Sequence, residues 1–177
     1  MSELLDQVKR LLARGEEVSA ERLLTDSLGR GQDAVDALKI LVALKTGKNE
    51  WDEATRLLKR LLVQAPNNAE IFYLLAGVYR AWGKMDEAKE YYKRAIVLDP
   101  CHSEAYEALS RIVKKQEGTE LLTQIESQLK TLPNNDSRRG GFHFAAANLC
   151  DGVGDYDRAF EHYSCANRLF CQPFSPE

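Results

Sequence analysis

The stretch GKMDEAKEYYKRAIVLDP, Gly83 to Pro100, reads as an amphipathic helix bounded by a glycine and a proline. Its pattern already occurs upstream in GKNEWDEATRLLKRLLVQAP, Gly47 to Pro66, whose proline lies 34 residues earlier. Both stretches carry an acidic pair in the first helical turn, Asp52-Glu53 and Asp86-Glu87, where the helix dipole favours negative charge. Both place an alanine, Ala54 and Ala88, just after that pair. Two antiparallel helices approach closely only where side chains are small, so a recurring alanine marks a recurring helix–helix contact. The likeness is therefore the period of a repeat.

Stepping by 34 from Met1 gives Val35, Ala69 and Ser103, and a further step of 37 gives Gly140. Each start opens two helices. In the third unit, Phe72, Leu75, Ala76 and Tyr79 share one face of the first helix, and Ala88, Tyr92 and Ala95 one face of the second. The same slots hold Leu4, Val8, Leu11, Ala20, Leu24 and Ser27 in the first unit, and Leu38, Leu41, Val42, Ala54, Leu58 and Leu61 in the second. In the fifth they hold Ala146, Ala147, Cys150, Ala159, Tyr163 and Ala166. A glycine before each second helix (Gly15, Gly47, Gly83, Gly154) is expected to end the first by taking a left-handed conformation. Pro66 and Pro100 stop the second helices.

The expected fold is all-α, a right-handed superhelical solenoid of about five helix-turn-helix repeats forming a single array. Its units are 1–34, 35–68, 69–102, 103–136 and 140–173. The fourth is degenerate, with Leu122 in the small slot and Glu126 in the aromatic one, although Leu121, Leu122, Ile125, Leu129 and Leu132 still form a helical stripe. The three extra residues fall in PNNDSRRGG, Pro133 to Gly141, which reads as an exposed turn able to act as a hinge.

This pattern resembles the tetratricopeptide repeat. Residues 69–102 match it almost slot for slot, with Phe72 for the family's usual tryptophan and Ala76 for its usual glycine. The fifth unit, in FHFAAANLCDGVGDYDRAFEHYSCANRLF, also resembles the last repeat preceding the catalytic domain of tetratricopeptide-linked sulfotransferases. That resemblance implies a substrate-selecting arm, although none of the phosphate-binding motif of such a domain is present.

In solenoids of this kind the first helices line a concave groove. The periodic residues serve packing, so partner-binding residues are sought on the groove side of the first helices. These are Asp6, Lys9, Asp36, Lys39, Glu70, Tyr73, Leu74, Glu107, Arg111, Phe144 and Asn148. A face of mixed charge with two aromatics suits an extended or helical peptide held by a few anchors. The carboxylate clamp by which some tetratricopeptide proteins hold chaperone C-termini does not fit. Its slots hold Leu5, Lys9, Ile40, Glu70 and Leu74, or one repeat along Lys39, Ala43, Leu74, Glu104 and Ala108, and Glu70 or Glu104 would repel a carboxylate.

Other functions find less support. The net charge of −3 and the recurring Asp36, Glu70 and Glu104 argue against nucleic acid, pentatricopeptide-style RNA reading included. The N-terminus carries charges throughout and reads as neither signal peptide nor membrane span. Cys101, Cys150, Cys165 and Cys171 show no CxxC spacing, which suits reduced thiols in a cytoplasm. His102, His143 and His162 look scattered. His162 and Cys165 lie one turn apart but lack further ligands at zinc spacing. No catalytic, metal or cofactor site is expected. At the far end, Phe160, Leu169 and Phe170 are large apolar residues on a terminal helix. They are expected to dock a downstream domain, a second copy, or the tail CQPFSPE.

Overall fold

Alanine sets the helix spacing. Ala20, Ala54 and Ala88 are fully buried and Ala159 nearly so, at 3% exposure, each inside the contact of a second helix with its neighbours. The computed structural model describes residues 3–28 and 34–170, and its described residues form ten helices and no strand. The helices are α1 (Glu3–Ala13), α2 (Glu17–Leu28), α3 (Ala34–Gly47), α4 (Trp51–Gln64) and α5 (Ala69–Ala81). They continue as α6 (Met85–Leu98), α7 (Ser103–Ser110), α8 (Lys115–Thr131), α9 (Arg139–Val153) and α10 (Tyr156–Phe170). Consecutive helices pack antiparallel, and each second helix also meets the first helix of the following pair, the arrangement of an α-α superhelix.

The hairpin turns recur at one slot. Gly15, Gly83 and Gly154 have φ of 75°, 82° and 87°, and Asn49 supplies the same left-handed turn with φ 59°. Gly47, expected in that role, is instead the last residue of α3. Asn49 stands 34 residues from both Gly15 and Gly83, and asparagine is the side chain that best tolerates this conformation after glycine. Asn68 caps α5, its side-chain oxygen accepting from the Ile71 amide at 3.2 Å.

The fourth unit departs from the pattern. Helix α7 has 8 residues and α8 has 17, and α9 packs on both of them as well as on α10. Leu121, Ile125 and Leu132 turn into the core as the stripe predicts. Helix α9 starts at Arg139, so Gly140 and Gly141 are buried in it and only the first part of the 133–141 segment is an exposed turn. A Cβ on Gly141 would lie 2.8 Å from the Ser103 Cβ, and the Tyr106 and Phe142 rings meet at 5.2 Å beside that approach. Glycine here is a packing requirement of α7 against α9.

Two apolar clusters result. A large one runs from Leu38 to Leu149, and a smaller one joins Val8, Ala20, Leu24, Ala37 and Leu41. Cys101, Cys150 and Cys165 are unpaired thiols, while Cys171 and the tail 171–177 lie outside the described residues. Among the described residues no helix is long and apolar enough to cross a membrane.

Candidate functional site

Three successive first helices, α3, α5 and α7, line a groove with a volume of about 560 Å³. Val42 and Ala43 from α3, Leu74, Gly77 and Val78 from α5, and Ala108 from α7 give it an apolar floor. Lys39, Arg80, Glu104, Glu107 and Arg111 provide charge around it, and Tyr73 lies among them. Five of the residues expected from sequence, Lys39, Tyr73, Leu74, Glu107 and Arg111, therefore converge on one cavity. The 34-residue period places equivalent positions of neighbouring first helices side by side, and that brings them together.

The charges are largely matched within the groove wall. Lys39 lies 3.1 Å from Glu70, and Arg111 lies 2.6 Å from Glu107. Glu70 also faces His102 at 3.3 Å, and the other ring nitrogen of His102 meets Glu104 at 3.2 Å. Burial alone would pull the His102 pKa down, but Glu104 and Glu70 outweigh it and hold it up at about 9. His102 is thus an imidazolium held between two carboxylates, its Nε2 facing Glu70 as an ion pair without a hydrogen bond. Glu104 is held down at about 2, chiefly by its bond to His102. The Ala105 amide points at His102 Nδ1 at 3.4 Å, but in the imidazolium that nitrogen has no lone pair to accept with and gives its proton to Glu104 instead. The Tyr73 ring packs on His102 at 4.9 Å, and burial raises its hydroxyl to about 12, so it stays neutral. His102 carries no groove role in the sequence reading. Its signal is its place as the residue preceding α7, 32 residues beyond Glu70.

The remaining expected residues lie elsewhere. Asp6 and Lys9 sit on α1, and Asp36 is exposed at the start of α3. None of the three lines the cavity. Phe144 packs against the rings of Tyr163 and Phe170, at 6.2 and 5.7 Å. Asn148 donates to Ser110 and accepts from the Tyr163 hydroxyl, at 3.1 and 2.9 Å. These last two contacts tie α9 to α10 and α7.

The histidines are not all scattered. His143 and His162 face each other across α9 and α10 with their Nδ1 atoms 3.0 Å apart. The hairpin register, not sequence proximity, pairs them. One neutral ring donates to the other, and burial lowers both pKa values, that of His143 to about 4. Among the described residues no group of three or more metal-ligating side chains gathers.

At the end of the array, Phe160 and Phe170 are 73% and 59% exposed and Leu169 44%. They do not form one patch. Phe160 and Leu169 are nine residues apart, on opposite sides of a helix that turns 100° per residue, and the Phe170 ring lies against Gly140 and Phe144. The exposed companion of Phe160 is Tyr156, one turn before it.

Known proteins bear out the architecture. Residues 45–112 match the tetratricopeptide repeat family. Its fold is a tetratricopeptide-type solenoid. A crystal structure of MamA protein superposes with a TM-score of 0.60 at 19% identity, covering 98% of this chain and 96% of MamA. A tetratricopeptide repeat protein from Parabacteroides merdae gives 0.64 at 19% identity over 94% of this chain and 65% of its own. A Podosopora anserina protein with nearly identical TPR-like repeats, provisionally assigned as a kinesin light chain, gives 0.63 at 19% identity over 94% and 92%. None of the curated proteins matches the sequence. The proteins named here do not show the likeness to sulfotransferase-linked repeats.

Proposed function

We propose that this chain is a non-catalytic protein-interaction module, acting in the cytoplasm, that holds a peptide or protein segment in the groove of α3, α5 and α7. The convergence of Lys39, Tyr73, Leu74, Glu107 and Arg111 on one cavity of about 560 Å³ supports the reading, since that volume suits one or two side chains of a partner. Leu74 and Ala108 receive an apolar anchor, the Tyr73 ring covers it, and the matched charges of the wall bond the partner's backbone and polar groups. Selection from a phage-displayed random peptide library tests this. Wild type is expected to enrich a defined sequence class that neither Tyr73→Ala nor Ala108→Trp retains. Equal enrichment by all three would overturn the groove assignment.

A second reading rests on Phe160. The same slot holds Glu21 in α2, Thr55 in α4 and Lys89 in α6. Glu21 pairs forward with Lys45 and Lys48, Lys89 pairs forward with Glu117, and Thr55 is buried. That slot faces the next repeat, so exposed Phe160 and Tyr156 offer a seat for a further helix. The helix would come from a second copy or from a domain that these repeats serve as a substrate-selecting arm, a sulfotransferase being one such case. Light scattering after size exclusion tests the dimer: a dimer that Phe160→Glu converts to monomer supports it, and a monomer at high concentration excludes it.

A further inference from the structure

Tyr79 fills the junction between the second and third repeats. Its ring stacks on Tyr91 at 5.1 Å and 5°, Trp82 stacks on it at 6.2 Å, and Lys59 lies over it at 5.9 Å. Only 8% of the residue remains exposed. One period later the corresponding positions hold Val113, Ile125, Gln116 and Lys93. The aromatic ladder is gone, and Lys93 turns to Glu117 at 3.3 Å instead of covering a ring. The space that results is an open groove of about 350 Å³ between α6, α7 and α8, lined by Ile96, Val97, Leu109, Val113 and Leu121. Val97 is 70% exposed at its edge. It shares no lining residue with the groove of α3, α5 and α7.

We infer that this second groove is a docking site for an aromatic side chain of a partner protein, carried next to a basic residue. The template for the aromatic ring is internal. In the preceding junction Tyr91, Trp82 and Lys59 close over Tyr79, so the ring that gives way to Val113 one period later is the shape the cavity lacks. The template for the base is the acidic rim. Glu117 is engaged by Lys89 at 2.8 Å and by Lys93, whereas Glu120, on the same edge, has no ion-pair partner among the described residues. An incoming lysine or arginine supplies one. Ring burial provides most of the affinity, and the ion pair, open to solvent, provides selectivity.

The test uses two small peptides, N-acetyl-Trp-Lys amide and N-acetyl-Trp-Glu amide, titrated into the isotopically labelled full chain and followed by amide chemical shifts. The lysine peptide is expected to perturb Ile96, Val97, Leu109, Val113 and Leu121, saturating at several-fold lower concentration than the glutamate peptide. Val113→Tyr, which puts a ring into the lining of the groove itself, is expected to abolish both responses. Glu120→Lys, a surface change that leaves the fold intact, is expected to reverse the order of the two peptides. No response, a response confined to the Tyr73 groove, equal response from Val113→Tyr folded as wild type, or an order that Glu120→Lys leaves unchanged would each overturn the proposal.

Discussion

At the scale of single residues, packing and charge make separate predictions. Ala88 and Ala159 admit no larger side chain, so Ala88→Leu and Ala159→Leu should each lose about 1–3 kcal/mol in chemical denaturation. Unchanged midpoints for both would refute the register. Gly141→Ala should destabilise by a similar amount, because its Cβ meets Ser103, and Ser103→Gly should recover most of the loss in a double-mutant cycle. The alanine slots were legible from sequence because they recur at one spacing. Gly141 was not, since its reason is a neighbour 38 positions away, and in the sequence it looked like loop. The His102 bridge titrates. Its folded pKa, about 9, lies above the ordinary 6.5, so its stabilisation is complete below pH 6.5 and is lost as pH rises through 9. Glu104 is held at about 2, so its share is complete above pH 4.5 and is lost as pH falls through 2. His102→Asn supplies a side chain that can cap α7 and removes the imidazolium. Between neutral pH and pH 10 wild type should lose about 1–2 kcal/mol that the variant does not, a figure reduced by the exposure of Glu104.

At the scale of elements, the fourth and fifth units show what a period alone leaves open. The stripe Leu121, Ile125 and Leu132 placed α8 correctly. Yet the packing of α9 on both α7 and α8 brings Gly141 against Ser103, a contact no local pattern encodes. The histidine pair was hidden likewise, because 19 residues and a helical hairpin separate its members. Both rings are neutral near pH 7. A histidine whose folded pKa is depressed gives full stability above 6.5 and loses it as pH falls, for His143 down to about 4. Arg139 and Arg168 oppose the charging of His143, and Arg158 that of His162, while Glu126 and Glu161 favour protonation of His162. Between pH 7 and pH 5 the amides of α9 and α10 should therefore exchange several-fold faster, beyond the intrinsic pH effect, than those of α5 and α6. His162→Phe should reduce the excess, leaving the part that comes from the burial of His143. Uniform acceleration across the chain would contradict the assignment.

At the scale of the whole molecule, an array without long-range closure has a stability that varies along its length. The N-terminal cluster rests on Val8, Ala20, Leu24, Ala37 and Leu41, whereas the larger cluster gathers side chains from α3 through α9. Helices α1 and α2 therefore open at lower free energy than the centre. Their attachment to the next repeat depends heavily on charge. Lys45 lies within 3.0 Å of Glu21, Glu50 and Glu53, and Lys48 reaches Glu17 and Glu21 at 3.0 and 2.6 Å. Lys45 is the least exposed of the cations in this cluster, and its bonds to Glu50 and Glu53 raise its pKa. Removing it leaves Glu21 half-buried with Lys48 alone, and each weakened pair costs on the order of 1 kcal/mol at this degree of exposure. Lys45→Met should then accelerate native-state hydrogen exchange in α1 and α2 by about 3–10-fold, with α5 to α10 unchanged. Added salt should produce the same pattern in wild type, because partly exposed pairs are screened. Exchange that rises equally in all ten helices would mean that the array opens as one cooperative unit, and the independence of its N-terminal end would be refuted.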